Sequence, residues 1–377
     1  MKRIVSLFIA TIFLGVFFIP VCFCEGNKPT QSYVLMESTT GKVMSENGAN
    51  DRKPVAALTK MMTLALIGEK LESGELSLSA TITAPSAVTG TQGSVIWLTA
   101  GEKMAVSDLL KALIIGSAND AAITFAGEIG GSVEKFIALM NEKARELGMN
   151  NTVFENCTGL DSDGAYSTAY DMALLGRELV KYEVFREYML TWMSDVRNGE
   201  TMLVNNNLLV KYFNGIQGLM AGSTEKAGYC ICAAANNGSS EYIAVVLGNE
   251  EQKDACIQAD ELLEMGFANF SAYTVNIDEK LLVPVEVLKG TQDKTNVRIN
   301  ESISVVIAKG EESKINYEVE IDKEVTAPVL ENQTLGKITV YKDYEVIYET
   351  NVVSSESVPK MTLWVSLGRH IKSMFSL

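Results

Sequence analysis

Apolar and polar positions divide the chain into four stretches of different rhythm. The first is an apolar run from Ile4 to Ile19, broken only by Ser6, Thr11 and Gly15. It follows Lys2 and Arg3 and precedes Pro20 and a polar segment, Glu25 to Ser32. From about Ser32 to Phe270, short strand-like runs alternate with longer stretches of helical spacing. Tyr33 to Met36 predicts a strand, and Thr40-Gly41-Lys42 a turn. Val55 to Leu71 predicts a helix, as does Ser107 to Ile129, interrupted at Gly116-Ser117-Ala118-Asn119. Ser132 to Leu147 predicts an amphipathic helix with Ser132 as N-cap and Gly148 as C-cap. Tyr229 to Ala235 and Tyr242 to Leu247 predict strands of a buried sheet. From Tyr273 to about Ser354 the residues are Val, Ile, Thr and Tyr in short runs between Gly, Asn, Asp and Lys, the pattern of a small all-β module. Its runs include Leu281 to Leu288, Ile303 to Ala308, Ile315 to Ile321 and Lys337 to Tyr341.

The two ends carry their own expectations. A basic start, a short apolar run and small residues at Cys22 and Cys24 predict a cleaved export signal over residues 1–24. At the other end, Leu363, Trp364, Leu367, Ile371, Met374 and Phe375 share one side of a helical wheel. Arg369, His370 and Lys372 lie opposite with the serines and Thr362. An aromatic apolar face against a basic one predicts a helix lying in a membrane interface, from Lys360 to Leu377. The expected organisation is a signal at 1–24, an α/β domain at 25–272, a β-sandwich domain at 273–355 and the amphipathic helix at 356–377.

Composition narrows the chemistry. Of 377 residues, 47% are hydrophobic and 21% charged, which describes a globular chain. A formal charge of −15 argues against nucleic acid as a partner. One histidine, His370 near the C-terminus, leaves the body of the fold without an imidazole for a His-dependent nucleophile. Cys157, Cys230, Cys232 and Cys256 remain after signal removal. Cys230 and Cys232, two apart on one strand, point to one face and read as buried thiols. No metal or organic cofactor is expected.

One constellation carries a family resemblance. Pro54-Val55-Ala56-Ala57-Leu58-Thr59-Lys60-Met61-Met62-Thr63 resembles the nucleophile helix of penicillin-binding D-alanyl-D-alanine carboxypeptidases, whose motif is Ser-x-x-Lys. Ser117-Ala118-Asn119 matches the second motif, Ser-x-Asn. Colinear matches run from Gly93-Ser94 through Gly159-Leu160-Asp161, Tyr166-Ser167-Thr168 and the stretch Gly222 to Cys230, and on to Gly266-Phe267. The resemblance implies a β-lactamase/transpeptidase-like domain, an antiparallel sheet with a helical cluster, followed by a small all-β domain. It also implies the chemistry. Ser and Lys at i and i+3 share a helix face, so the amine takes the hydroxyl proton and the Ser forms an acyl-enzyme. The Ser-x-Asn pair shuttles protons and orients the peptide, and a Lys-Thr-Gly strand binds the terminal carboxylate.

This chain departs from that pattern where the chemistry is done. Ala57 stands at the nucleophile position, and Met220-Ala221-Gly222 stands in place of Lys-Thr-Gly. Gln217 replaces a frequent acidic residue and Ala165 a frequent His. Lys60, Ser117, Asn119 and Gly222 remain as the family-equivalent site residues. The expectation is a carboxypeptidase homologue without catalysis, acting as a wall-peptide-binding or scaffold protein at the outer face of the cytoplasmic membrane. Peptidoglycan stem peptides would bind weakly without the lost cation, and other wall enzymes are candidate partners. Lys60 is expected to hydrogen-bond Ser117 and Asn119, and Met220 to fill the groove. The alternative is an active carboxypeptidase using Thr59 or Ser117 as a displaced nucleophile with Lys60 as base.

Overall fold

The computed structural model describes residues 31–362. The expected export signal and all but the start of the amphipathic helix, with His370, lie outside them. Among the described residues no helix is long and apolar enough to cross a membrane.

The first part of the chain contains ten strands and seven helices. In order these are β1 (Ser32–Glu37), β2 (Val43–Asn47), α1 (Thr59–Glu72), β3 (Thr81–Thr83), β4 (Lys103–Ala105) and α2 (Val106–Ile114). Next come α3 (Asn119–Gly130), α4 (Val133–Glu146), α5 (Ala169–Leu179), α6 (Arg186–Leu190), β5 (Met193–Val196) and β6 (Thr201–Val204). Then follow β7 (Ile216–Gly218), β8 (Ala221–Thr224), β9 (Gly228–Asn236), β10 (Glu241–Asn249) and α7 (Gln252–Asn269).

The central sheet is antiparallel in the order β2-β1-β10-β9-β7, with β8 also paired to β9. Strand alternation decides its two faces. Cys230, Cys232 and Ala234 of β9 enter the larger core, with α1, α3 and α5. Ile231, Ala233 and Ala235 enter a second core under Ala255, Ala259 and Leu263 of α7. Both faces are therefore covered, and each large aliphatic side chain buried there contributes about 1.5–3 kcal/mol. All four described cysteines are free and buried, and Cys230 and Cys232 share a face as their spacing predicts.

Local signals explain the helix ends. Ser132 accepts a hydrogen bond from the Lys135 amide as N-cap of α4, and Thr168 does the same for Asp171 at the start of α5. The predicted helix over Val55 to Leu71 is in fact two pieces. A 3₁₀ turn, Ala56–Leu58, precedes α1, and Ala56 takes φ +46°. Residues 115–118 separate α2 from α3, with Ser117 at φ +52°.

The second part contains nine further strands, β11 (Phe270–Thr274), β12 (Val285–Leu288), β13 (Lys294–Thr295), β14 (Val297–Ile299) and β15 (Ser304–Ala308), then β16 (Ile315–Ile321), β17 (Glu324–Thr326), β18 (Thr334–Lys342) and β19 (Glu345–Ser354). They form small sheets, one in the order β14-β19-β18-β16, around their own apolar cores. The all-β composition of this stretch is thus matched by its structure.

Candidate functional site

A cleft of about 320 Å³ opens where α1, the start of α3 and β8 converge. Ala57, Lys60, Ser117, Asn119 and Gly222 line it together, although their sequence numbers span 165 positions. Gly93, Ser94, Thr158 to Leu160, Asn206, Ser223, Thr224, Tyr229 and Gln252 complete the wall.

Met220 and Ala221 do not line this cleft. Met220 is 2% exposed in the larger core, and Ala221 is buried in the core under α7. The expectation that Met220 fills the groove is therefore corrected. A thioether chain has no polar head to hold at the surface, so it packs with its apolar neighbours. Ser223 and Thr224, beyond Gly222 on β8, supply the polar wall instead.

Ala57 and Gly222 face each other closely. A Cβ added to Gly222 would come within 2.6 Å of the Ala57 Cβ. The strand can thus approach the 3₁₀ turn only because position 222 has no side chain. Gly159 closes the turn from another side: a Cβ there would run into the Ala56 carbonyl oxygen. These contacts hold Ala56 in its left-handed conformation, which costs an alanine on the order of 1 kcal/mol. The strained turn presents residue 57 to the cleft, and the group presented is a methyl.

Lys60 is 3% exposed and donates to the Thr158 carbonyl oxygen at 2.6 Å. One turn on, Thr63 donates to the Cys157 carbonyl oxygen at 3.0 Å. Adjacent donors on one helix face thus staple the backbone of 157–158 to α1. This corrects the expectation that Lys60 bonds Ser117 and Asn119; the carbonyl 98 positions away provides the acceptor instead. Burial lowers the Lys60 amine from 10.5 to about 7, and nearby Cys157 opposes that shift weakly. The same burial raises the Cys157 thiol to about 11.

Asn119 is held from two sides. Its backbone amide donates to Ser94 and its side-chain amide to Gln92, both at 2.7 Å. Its Oδ1 is buried and has no hydrogen-bond partner. An amide oxygen buried without a partner carries an unmet desolvation cost of about 1–3 kcal/mol. Asp120, next along, is 2% exposed and accepts from the backbone amides of Ile96 and Leu98. That carboxylate fixes the 92–98 loop against α3.

Thr59 points away, into a separate small cavity lined by Pro54, Phe154 and Tyr166. Two residues past Ala57 on a helical turn, it faces another direction. Asn206 and Gln252 were not singled out in the sequence, because nothing local marks a wall built from distant segments, and Ser223, Thr224 and Tyr229 fell inside the Gly222 to Cys230 match without being read as wall residues. Only the Gly159-Leu160-Asp161 string pointed near Thr158.

The chain matches the family model described as D-alanyl-D-alanine carboxypeptidase over residues 25–251, and that of penicillin-binding protein 5, C-terminal domain, over residues 270–360. It is 35% identical to the D-alanyl-D-alanine carboxypeptidase DacF of Bacillus subtilis (strain 168), over 96% of this chain and 95% of that protein. It is 32% identical to DacC of Escherichia coli (strain K12), over 87% and 84% respectively. Among solved structures, penicillin binding protein 5 from Haemophilus influenzae superposes with a TM-score of 0.80 at 27% identity, covering 88% of this chain and 98% of that one. Penicillin binding protein 6B from Escherichia coli gives 0.70 at 26%, covering 85% and 93%. The expected β-lactamase/transpeptidase-like fold with a following all-β domain is what these likenesses share with the chain.

Proposed function

This chain belongs to the D-alanyl-D-alanine carboxypeptidase family of peptidoglycan metabolism, and from that premise we propose that it has lost catalysis and works as a wall-peptide-binding or scaffold protein. One observation carries the reading. The residue presented to the cleft by the strained 56–58 turn, on the same side as Lys60, is Ala57. A methyl group cannot attack a carbonyl or hold an acyl group, and loss of a nucleophile alone costs orders of magnitude in rate. The cation and hydroxyl of a Lys-Thr pair are also missing, since Met220 and Ala221 stand at those positions, and both are buried in apolar cores.

Binding without turnover remains within the cleft's chemistry. Ser223, exposed on β8, offers a hydroxyl along a strand edge of the cleft, and Ser117 and Asn119 line the opposite wall. Without a cation for the terminal carboxylate, binding is weak. We place the protein at the outer face of the cytoplasmic membrane, exported by its first 24 residues and held by Lys360 to Leu377. The residues assigned to the cleft are Lys60, Ser117, Asn119 and Gly222.

The test is covalent labelling of the mature protein by a fluorescent penicillin. No label is expected. A stoichiometric, heat-stable adduct would overturn the reading, and an adduct mapped to Ser117 would establish the displaced-nucleophile alternative, because Ser117 shares the cleft with Lys60.

A further inference from the structure

The loop that walls the cleft carries an aromatic side chain that the site does not use. Trp97 is 74% exposed and its backbone sits at φ +56°. A bulky aromatic rarely takes this left-handed conformation, and the strain here is not repaid by burial. Yet the position is held from every side. The Ile96 and Leu98 amides on either side donate to the buried Asp120 carboxylate at 3.1 and 2.9 Å. The Ile96 carbonyl oxygen accepts from Arg197 at 2.5 Å, and Arg197 is itself forked onto Glu102 at 2.8 and 3.1 Å. The indole is therefore presented to solvent by a rigid frame rather than left over from folding.

Its surroundings define what it can hold. Ile96 and Leu98 are buried, so the indole is the one large apolar side chain that residues 91–100 expose. A single exposed ring suits one ring-sized unit. Gln92 and Ser94, exposed on the same loop, offer hydrogen bonds to hydroxyl and acetamido groups. An indole face carries negative quadrupole density and attracts the C–H face of a pyranose ring. Ser94 lines the cleft, and three residues of chain reach at most roughly 10 Å, so the Trp97 backbone lies within that distance of a cleft-lining residue.

We infer that Trp97 is a stacking platform for an uncharged acetamido-sugar ring, a glycan subsite near the peptide cleft. The inference deepens the wall-binding reading by naming a second part of the ligand. A molecule that carries a peptide on a sugar strand would be gripped at two points, and the weak peptide contact would be reinforced by the second.

Calorimetric titration of the mature full-length chain with a β-1,4-linked N-acetylglucosamine tetramer tests it, beside a parallel titration with a sugar-free stem pentapeptide. Trp97→Ala should weaken the tetramer at least tenfold, while Trp97→Phe keeps it within about threefold and pentapeptide binding is unchanged in both. Tetramer binding that is absent, or equal in wild type and Trp97→Ala, overturns the proposal, whatever the pentapeptide does. Loss of vesicle or protein association in Trp97→Ala with no effect on the tetramer overturns it equally. Trp97-dependent tetramer binding without any pentapeptide binding upholds the subsite and refutes the peptide-binding reading instead. The Phe variant keeps an aromatic ring in the frame, so a folding defect in the Ala variant does not stand in for an answer.

Discussion

Replacing Lys60 by Met separates the cost of burying an amine from the worth of its one hydrogen bond. The amine falls from 10.5 to about 7 on folding because it is buried. Between those values the unfolded chain binds the proton and the folded chain does not, so stability rises with pH across the window. The penalty is complete below pH 7 and gone above pH 10.5. A drop of this size corresponds to about 5 kcal/mol, at about 1.4 kcal/mol per pH unit. Against this, Lys60→Met leaves the Thr158 carbonyl oxygen without its donor, at about 1–3 kcal/mol. The variant should therefore be more stable than wild type by about 2–4 kcal/mol at pH 6 and less stable by about 1–3 kcal/mol near pH 10.5, with the sign changing between. Denaturant unfolding of both proteins at pH 6, 7, 8, 9 and 10 reads this directly. Other titrating groups are common to both proteins and largely cancel in the difference. A difference that stays flat from pH 7 to 10 would falsify the account, because it would mean that Lys60 keeps the same charge folded and unfolded.

Ala57→Ser should give at most a trace of penicillin labelling, because Met220 and Ala221 are packed in apolar cores and supply neither a cation nor a hydroxyl to the cleft; stoichiometric labelling of that variant would show that the nucleophile alone was missing. Gly222→Ala should destabilise by about 1–3 kcal/mol through collision with the Ala57 Cβ, and an unchanged melting temperature would refute the close approach. Asp120→Ala strips an acceptor from the Ile96 and Leu98 amides and should cost about 2–4 kcal/mol, with faster amide exchange at those two positions as the signature. Ser132→Ala should cost about 1 kcal/mol as a lost N-cap, measurable by denaturant unfolding.

Much of the fold was legible because period and punctuation agree with it. Ser132 and Gly148 bracket α4, and the alternation of Cys230 to Ala235 assigns both faces of β9. The site was legible only where residues touch the cleft through a local motif. Ala57, Lys60, Ser117, Asn119 and Gly222 do meet, as their motif spacing implied. The left-handed turn at Ala56 was not visible, since it is imposed by Gly159 and Gly222 from far along the chain. The partner of Lys60 was misplaced for the same reason: a backbone carbonyl has no sequence signature. Met220 was misplaced because its neighbours, not its motif position, decide where an apolar chain goes.

The buried thiols have a consequence for how this molecule ages. Burial raises Cys157 to about 11 and Cys230 to about 12, and pushes Cys232 and Cys256 upward too. At neutral pH almost none of them is thiolate, and the thiolate is the form that oxidants and disulfides react with. An oxidising environment thus leaves these four thiols alone in the folded chain and reaches them only in molecules that have opened. The rate at which a thiol reagent modifies these four positions becomes a clock for opening events, one that needs no engineered cysteine.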